Sequence, residues 1–445
     1  MQRAVEYSVR LTCIVMLVAL VAGGAVRAQT HDGHGHHGAR DLSVVAPADV
    51  GLSSARLERL AASMEQMVAD GKLAGVVTML ARHGKVAFVD AVGVQDVESA
   101  TPISTDTIFR IYSMTKPITG VAMMMLYEEG LWRLNDPVSK YIPEFADLQV
   151  RAGESADGAP VLQDAQRSMT MRELMTHSGG LAYALTDADP MSSVYRTEGV
   201  LNADAPLQVM IEKLGTLPLR AQPGTSYFYS ISVDVQGYLV EKLSGQPFDE
   251  FLLSRIFEPL GMVNTAFFVP AGREDRAGRE HRVGESGELE LTGTEIRTRP
   301  PAGPSGGGGL YSTVGDYLRF TQMLLNGGAL DGARLLAPRT IEMMRTNHLL
   351  DEPLGKMAQG QGLPLGYTAS PGQGFGLDFA VVMDAAAAGE PWPNGTAYWY
   401  GAAGTWFWID PETDLAFVGM IQHRGAESGE VQGLSRNLVY QAIVH

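Results

Sequence analysis

Residues 109–117 read Phe109-Arg110-Ile111-Tyr112-Ser113-Met114-Thr115-Lys116-Pro117, and they decide how the rest of the 445-residue chain is read. Ser113 and Lys116 are three residues apart, so on a helix they share one face, a turn apart. A serine hydroxyl is a weak nucleophile until a base takes its proton. A buried lysine can be that base, because loss of water disfavours the ammonium and lowers its pKa. Pro117 is tolerated in the first turn of a helix and costly deeper in. It therefore places Ser113 at a helix mouth, where the helix dipole favours developing negative charge. Alone, the pattern also fits a helix cap followed by a surface lysine, so the surrounding sequence has to decide.

Directly after this segment, Ile118 to Leu126 is apolar nearly all round, which predicts a buried helix. Upstream, Leu57, Leu60, Ala61, Met64 and Met67 share one face of a helix predicted over Ser53 to Asp70, with Ser53 or Ser54 as cap. Gly75 to Ala81 and Val86 to Val92 read as strands joined through His83-Gly84-Lys85. Strand character returns at Phe375 to Met383, Ala397 to Ile409 and Leu415 to Ile421, followed by a helix from about Ser435 to Val444. Between lie helical pieces at Met169 to Met175 and Ala205 to Leu214, with loops expected at Gly153 to Arg167 and Glu274 to Pro304. The order predicts an α/β (α+β) fold: an antiparallel sheet flanked by helices, with residues 49–130 and 305–445 in a sheet lobe and 131–304 in an inserted, mostly helical lobe.

The N-terminus reads as a processing segment. Arg3 and Arg10 precede an apolar run from Leu11 to Ala25, and small residues follow, ending in Val26-Arg27-Ala28, so residues 1–28 are expected to be a signal peptide. The run is too short for a confident span, and no membrane span is expected after cleavage. Residues 29–48 read as a flexible, His-rich tail (His31, His34, His36, His37), a composition that fixes no metal geometry. Cys13 is the only cysteine, so the processed chain could hold no disulfide, thiol nucleophile or Cys-ligated metal. That suits a bacterial periplasm or the medium. The formal charge of −16 becomes −18 once a segment with three arginines and one glutamate is removed, which argues against nucleic acid as a partner.

The nucleophile segment resembles that of the serine β-lactamase and penicillin-binding-protein superfamily, within which the class C-like group containing the family VIII carboxylesterases is most similar. Leu174-Met175-Thr176-His177-Ser178-Gly179-Gly180-Leu181 resembles the family's Leu-Thr-His-Thr-Ser-Gly-Leu loop, and Gly306 to Phe320 its Gly-rich stretch opening a helix. Phe375-Gly376-Leu377 resembles the start of a late sheet strand. The resemblance spans about residues 50 to 440 and implies a β-lactamase/transpeptidase-like fold with no cofactor and no metal. It further implies Tyr229 as a second catalytic residue, at the tyrosine of the family's Tyr-x-Asn, with its pKa lowered beside the lysine ammonium. It puts Trp399-Tyr400-Gly401 at the family's Lys-Thr-Gly or His-x-Gly strand, and an oxyanion hole at the backbone N–H groups of Ser113 and Ala402.

Two departures bear on substrate. Ile231 stands where the family carries Asn, and Trp399 where it carries a cation. Neither side chain offers charge or an acceptor. Tyr112, Ile231, Trp399, Tyr400 and Gly401 are thus expected to line an apolar site for a small-molecule ester. The reading is an exported serine hydrolase cleaving carboxylic esters through an acyl-enzyme. A β-lactamase, a D-alanyl or D-amino peptidase, an acyltransferase and an inactive penicillin-binding-protein-like sensor remain alternatives on the same fold. Two rivals within the sequence are Gly303-Pro304-Ser305-Gly306-Gly307, which fits Gly-x-Ser-x-Gly without a preceding strand, and a triad through His177 or His423.

Overall fold

The computed structural model describes residues 42–184, 189–359 and 371–445. The expected signal peptide and residues 29–41 of the His-rich tail lie outside them. Helix α1 (Ser54–Ala69) buries Leu57, Leu60, Met64 and Met67, as its spacing predicts. Ser53 takes the cap position without a side-chain capping bond. Strands β1 (Gly75–Arg82) and β2 (Lys85–Asp96) pair antiparallel from Arg82 opposite Lys85. The two linking residues, His83 and Gly84, have φ of 52° and 71°, the left-handed pair that a two-residue hairpin needs to match strand twist. A short β3 (Thr101–Pro102) lies along β2.

Helix α2 (Thr115–Glu128) follows, with Thr115 to Leu126 buried throughout. From Ile118 on it is apolar nearly all round because it runs inside the molecule, packed against α3 (Ser232–Ser244). Helix α4 (Val314–Leu325) comes next, capped by Thr313 accepting from the Asp316 N–H. The chain then returns to the sheet with β4 (Gln373–Phe375), β5 (Ala380–Val382), β6 (Ala397–Tyr400), β7 (Trp406–Asp410) and β8 (Leu415–Met420). Helix α5 (Glu427–Tyr440) closes it.

The eight strands form one antiparallel sheet in the order β4-β5-β6-β7-β8-β1-β2-β3. Strands from the two ends of the chain meet where β8 pairs with β1, from Val77 opposite Met420 to Arg82 opposite Leu415. Strand alternation assigns the helices to opposite faces. Trp406 Nε1 donates to Ser435 Oγ of α5 at 3.1 Å, and Trp408 stacks near Tyr440 of α5. Phe407, pointing the other way, packs on Tyr317 of α4 at 5.3 Å.

Three segments differ from their sequence reading. Residues 153–167, expected as loop, belong largely to an exposed hairpin, Gln149–Glu154 with Pro160–Asp164. A second hairpin, His281–Val283 with Leu289–Leu291, interrupts the expected 274–304 loop. The last helix begins at Glu427, eight residues before Ser435, because Gly429 and Gly433 do not break it. Among the described residues no helix is long and apolar enough to cross a membrane.

Gly419 on β8 faces Trp406 across the ladder, and a Cβ there would sit 2.2 Å from the indole ring. The indole is wedged between strand and helix and has no room to retreat. Gly419→Ala is expected to destabilise by about 1–3 kcal/mol, read as a lower urea midpoint with an unchanged slope.

Candidate active site

The nucleophile turn is a single 3-10 turn, Tyr112–Met114, running straight into α2. Tyr112 has φ of 44°, a left-handed conformation that is costly for an aromatic residue and persists only when its surroundings impose it. They do. Tyr112 Oη donates to Glu280 at 2.6 Å, and the guanidinium carbons of Arg110 and Arg424 each lie 4.5 Å from its ring centre. The turn is also tied down from α4, where Tyr317 Oη donates to the Met114 carbonyl at 2.8 Å. Strand β6 ends against it: a Cβ on Gly401 would lie 2.4 Å from the Ile111 carbonyl oxygen, so the close approach requires glycine.

Lys116 is completely buried, with Nζ 3.3 Å from Ser113 Oγ and 3.3 Å from Tyr183 Oη. It donates to the Gly307 carbonyl at 2.6 Å. Burial pulls its pKa down to about 7, against the opposing pull of Asp234 and Asp378. The amine is therefore substantially neutral near neutral pH, with a lone pair available to the serine proton.

Both carboxyl groups reach Lys116 through glycines. Asp234 on α3 accepts from the Gly307 N–H at 3.1 Å and from Ser305 Oγ, and its second oxygen fills the space of a Gly307 Cβ. Asp378 sits in the turn between β4 and β5 at φ of 72° and accepts from Gln236 Nε2 at 2.8 Å. Its other oxygen packs where a Cβ of Gly120 would be, one turn beyond Lys116. Burial raises the pKa of Asp234 and pushes that of Asp378 well above its usual value, which weakens the counter-charge that either carboxyl offers the Lys116 ammonium. That keeps Lys116 from being locked as an ammonium.

Tyr229 lies with its ring centre 4.4 Å from Lys116 Nζ, as the sequence places it. Its ionisation goes the other way from the expectation. Burial pushes the phenol well above its usual pKa, although the Ser113 and Trp399 side chains favour the phenolate. It is a proton donor beside a lysine that titrates at about 7. Tyr183, which sequence reading missed, packs edge-on to Tyr229 at 5.5 Å. Its only sequence signal is its place two residues after the His177–Leu181 loop.

An 810 Å3 cavity opens in front of Ser113, lined among others by Tyr112, Tyr183, Ala402 and Tyr311. The Ala402 N–H donates to no backbone carbonyl among the described residues, and Ser113 lies in a first turn, where N–H groups have no carbonyl one turn back. Three expected substrate-contacting residues sit elsewhere. Ile231 is fully buried and starts α3, its N–H donating to the Ala182 carbonyl. Trp399 is buried behind Tyr229 and Phe375, with ring centres 5.5 and 5.3 Å away, and Tyr400 stacks on Trp399. Strand alternation turns Trp399 into the core behind Tyr229 and Tyr400 to the opposite face of β6, beside Tyr398 at 5.5 Å, so neither ring lines the cavity. Gly401 serves the backbone approach described above.

The rival assignments fail on contacts. Ser305 donates to Asp234, and no strand leads directly into it: residues 292–304 are irregular. His177 has Nδ1 3.1 Å from Ser230 Oγ, and burial holds its pKa well below the usual value. His423 Nε2 lies 3.0 Å from Glu427. Neither histidine hydrogen-bonds Ser113. No cluster of metal-ligating side chains occurs among the described residues.

An eight-stranded antiparallel sheet that presents a serine and a buried lysine, one turn apart at a helix mouth, is the architecture of the β-lactamase fold. The chain belongs to the beta-lactamase family, whose profile matches residues 60–441. Protein Rv1367c of Mycobacterium tuberculosis is 37% identical over 367 residues, 81% of this chain and 89% of that protein. Esterase EstB of Burkholderia gladioli is 33% identical over 395 residues, covering 84% and 92%. The solved structure of EstCE1, described as a hydrolase with promiscuous acyltransferase activity, superposes with a TM-score of 0.70 at 27% identity, covering 86% of this chain and 98% of that one.

A base that works only when neutral gives a defined pH dependence. With Lys116 at about 7, kcat/KM is expected to rise with pH through a midpoint near 7 and to level off above about 8. A pH profile on an uncharged ester checks it.

Proposed function

We propose that the protein is an exported serine carboxylesterase acting through an acyl-enzyme. The observation that carries the reading is the wholly buried Lys116 amine, 3.3 Å from Ser113 Oγ, beside a strand β6 that carries no cation. Ser113 Oγ attacks the ester carbonyl while Lys116 Nζ takes its proton. The oxyanion forms against the N–H groups of Ser113 and Ala402. Tyr229, protonated and beside the lysine, hands a proton to the leaving alcohol and recovers it through Lys116. Water then repeats the sequence on the acyl-enzyme. The similarity to EstB supports ester chemistry, and residues 1–28 support export.

The wide cavity at Ser113 also suits an acceptor alcohol in place of water, and the acyltransferase activity in the description of EstCE1 favours keeping transfer as a second outcome. Addition of a small alcohol during turnover separates the two through the ratio of new ester to free acid.

Ser113→Ala is expected to lower p-nitrophenyl butyrate hydrolysis by about 10³-fold or more and to abolish fluorophosphonate labelling. Ser305→Ala is expected to remain labelled at Ser113. Rapid turnover of a chromogenic cephalosporin without ester turnover would instead make it a β-lactamase. Absence of labelling at any serine of the folded protein would favour a binding module.

A further inference from the structure

Arg110 stands three residues before Ser113 and lines the same cavity. Its hydrogen bonds are made by its backbone: the N–H donates to Gln422 Oε1 at 2.8 Å, and the carbonyl accepts from Gln422 Nε2 at 3.1 Å. The guanidinium lies over the rings of Tyr112 and Tyr311, 4.5 and 6.0 Å from their centres. Its Nε is buried with no acceptor, and no carboxylate pairs with it among the described residues.

Its neighbours on the cavity wall are different. Arg424 shares the Tyr112 ring, but its Nε donates to Glu280 at 3.0 Å. Arg297 pairs with Asp204 at 3.6 Å. Arg299 is exposed to solvent. Arg110 is thus a partly buried cation that rests on ring faces, with no carboxylate paired to it among the described residues. A ring face compensates a guanidinium weakly compared with a carboxylate, which takes two parallel N–H bonds. The tyrosines hold the side chain in place before any ligand arrives, since Tyr112 is itself fixed by Glu280. Little ordering is then left for binding to oppose. The chain as a whole is at −16, so its distant field repels anions. A positive side chain kept unneutralised beside the nucleophile therefore needs a local reason.

We propose that Arg110 anchors a carboxylate carried by the substrate, so that the esters this site favours bear a second, ionised acid group. The inference rests on the ester-hydrolase reading above and adds the substrate class to it. The charge is recognised from the nucleophile turn, not from β6, where Trp399 and Tyr400 offer none. The carboxylate can belong to the acyl half or to the alcohol half, and the two are separable by experiment.

The test compares kcat/KM for mono-p-nitrophenyl glutarate against p-nitrophenyl valerate, and for 4-(butanoyloxy)benzoate against phenyl butanoate. The full chain, Arg110→Gln and Arg110→Lys are measured. In one of the two pairs the native chain is expected to prefer the anionic ester. In that pair Arg110→Gln is expected to lower the anionic-to-neutral ratio roughly tenfold or more, the weight of a charge-assisted hydrogen bond, with part of it restored in Arg110→Lys. Thermal unfolding of each variant separates this from misfolding, because the ratio of two substrates on one folded sample is unaffected by the folded fraction. No anionic preference in either pair, or a ratio unchanged in Arg110→Gln, overturns the proposal. Calorimetric binding of monomethyl glutarate keeps it distinct from the ester reading. If no ester turns over, yet the native chain binds this anion and Arg110→Gln does not, the ester reading falls and the anion site stands. If neutral esters turn over and the anion binds both proteins alike, the anion site falls and the ester reading stands.

Discussion

Burying the Lys116 amine beside Ser113 is the constraint on which the rest of the site depends. An ammonium in that position would be costly to desolvate and useless as a base. The surroundings solve both problems together. The Gly307 carbonyl gives the amine an acceptor, and Asp378, whose pKa its own burial raises well above the usual value, adds polarity with less than a full counter-charge. Asp234 does its work one step removed, by holding the Gly307 N–H and Ser305 so that the carbonyl points at Nζ. Two glycines, Gly120 and Gly307, exist at these contacts because a Cβ would occupy the place of a carboxylate oxygen.

The fold delivers these groups from remote parts of the chain. Helix α2 supplies the lysine, α3 supplies Asp234, the β4–β5 turn supplies Asp378, and the end of β6 leans on the nucleophile turn through Gly401. The sheet makes this possible because its two contributions, β1–β3 and β4–β8, are joined in one ladder at β8 and β1. Tyr112 completes the frame: its left-handed backbone is held by Glu280 and two guanidiniums, and it aims the hydroxyl of the next residue into the cavity.

Much of this was legible before the structure. Ser113, Lys116 and Pro117 carry local geometry, and the His83-Gly84 turn and the α1 stripe carry local periodicity. What could not be read depends on distance or on burial. Asp378 lies 262 residues after Lys116, and nothing near it in sequence marks a catalytic neighbour. Tyr183 is an ordinary aromatic until folding brings it to the lysine. The motif position of Tyr229 implies a nearby cation and a lowered pKa, whereas burial lowers the Lys116 pKa to about 7 and takes water from the phenol, which raises its pKa. Motif position predicts Ile231 and Trp399 at the substrate surface, but the core claims both side chains. The exposed hairpin at 149–164 escaped because its strands carry no alternating apolar face to signal them.

The protonation of Lys116 can be observed directly. Lysine side chains labelled with 13C at the ε carbon give one NMR signal each, and Lys116→Met identifies the one that matters. A titration midpoint near 7 for that signal is the expected result. A midpoint at the ordinary lysine value, with the amine charged across the range in which the protein is active, would contradict a neutral lysine as the base for Ser113.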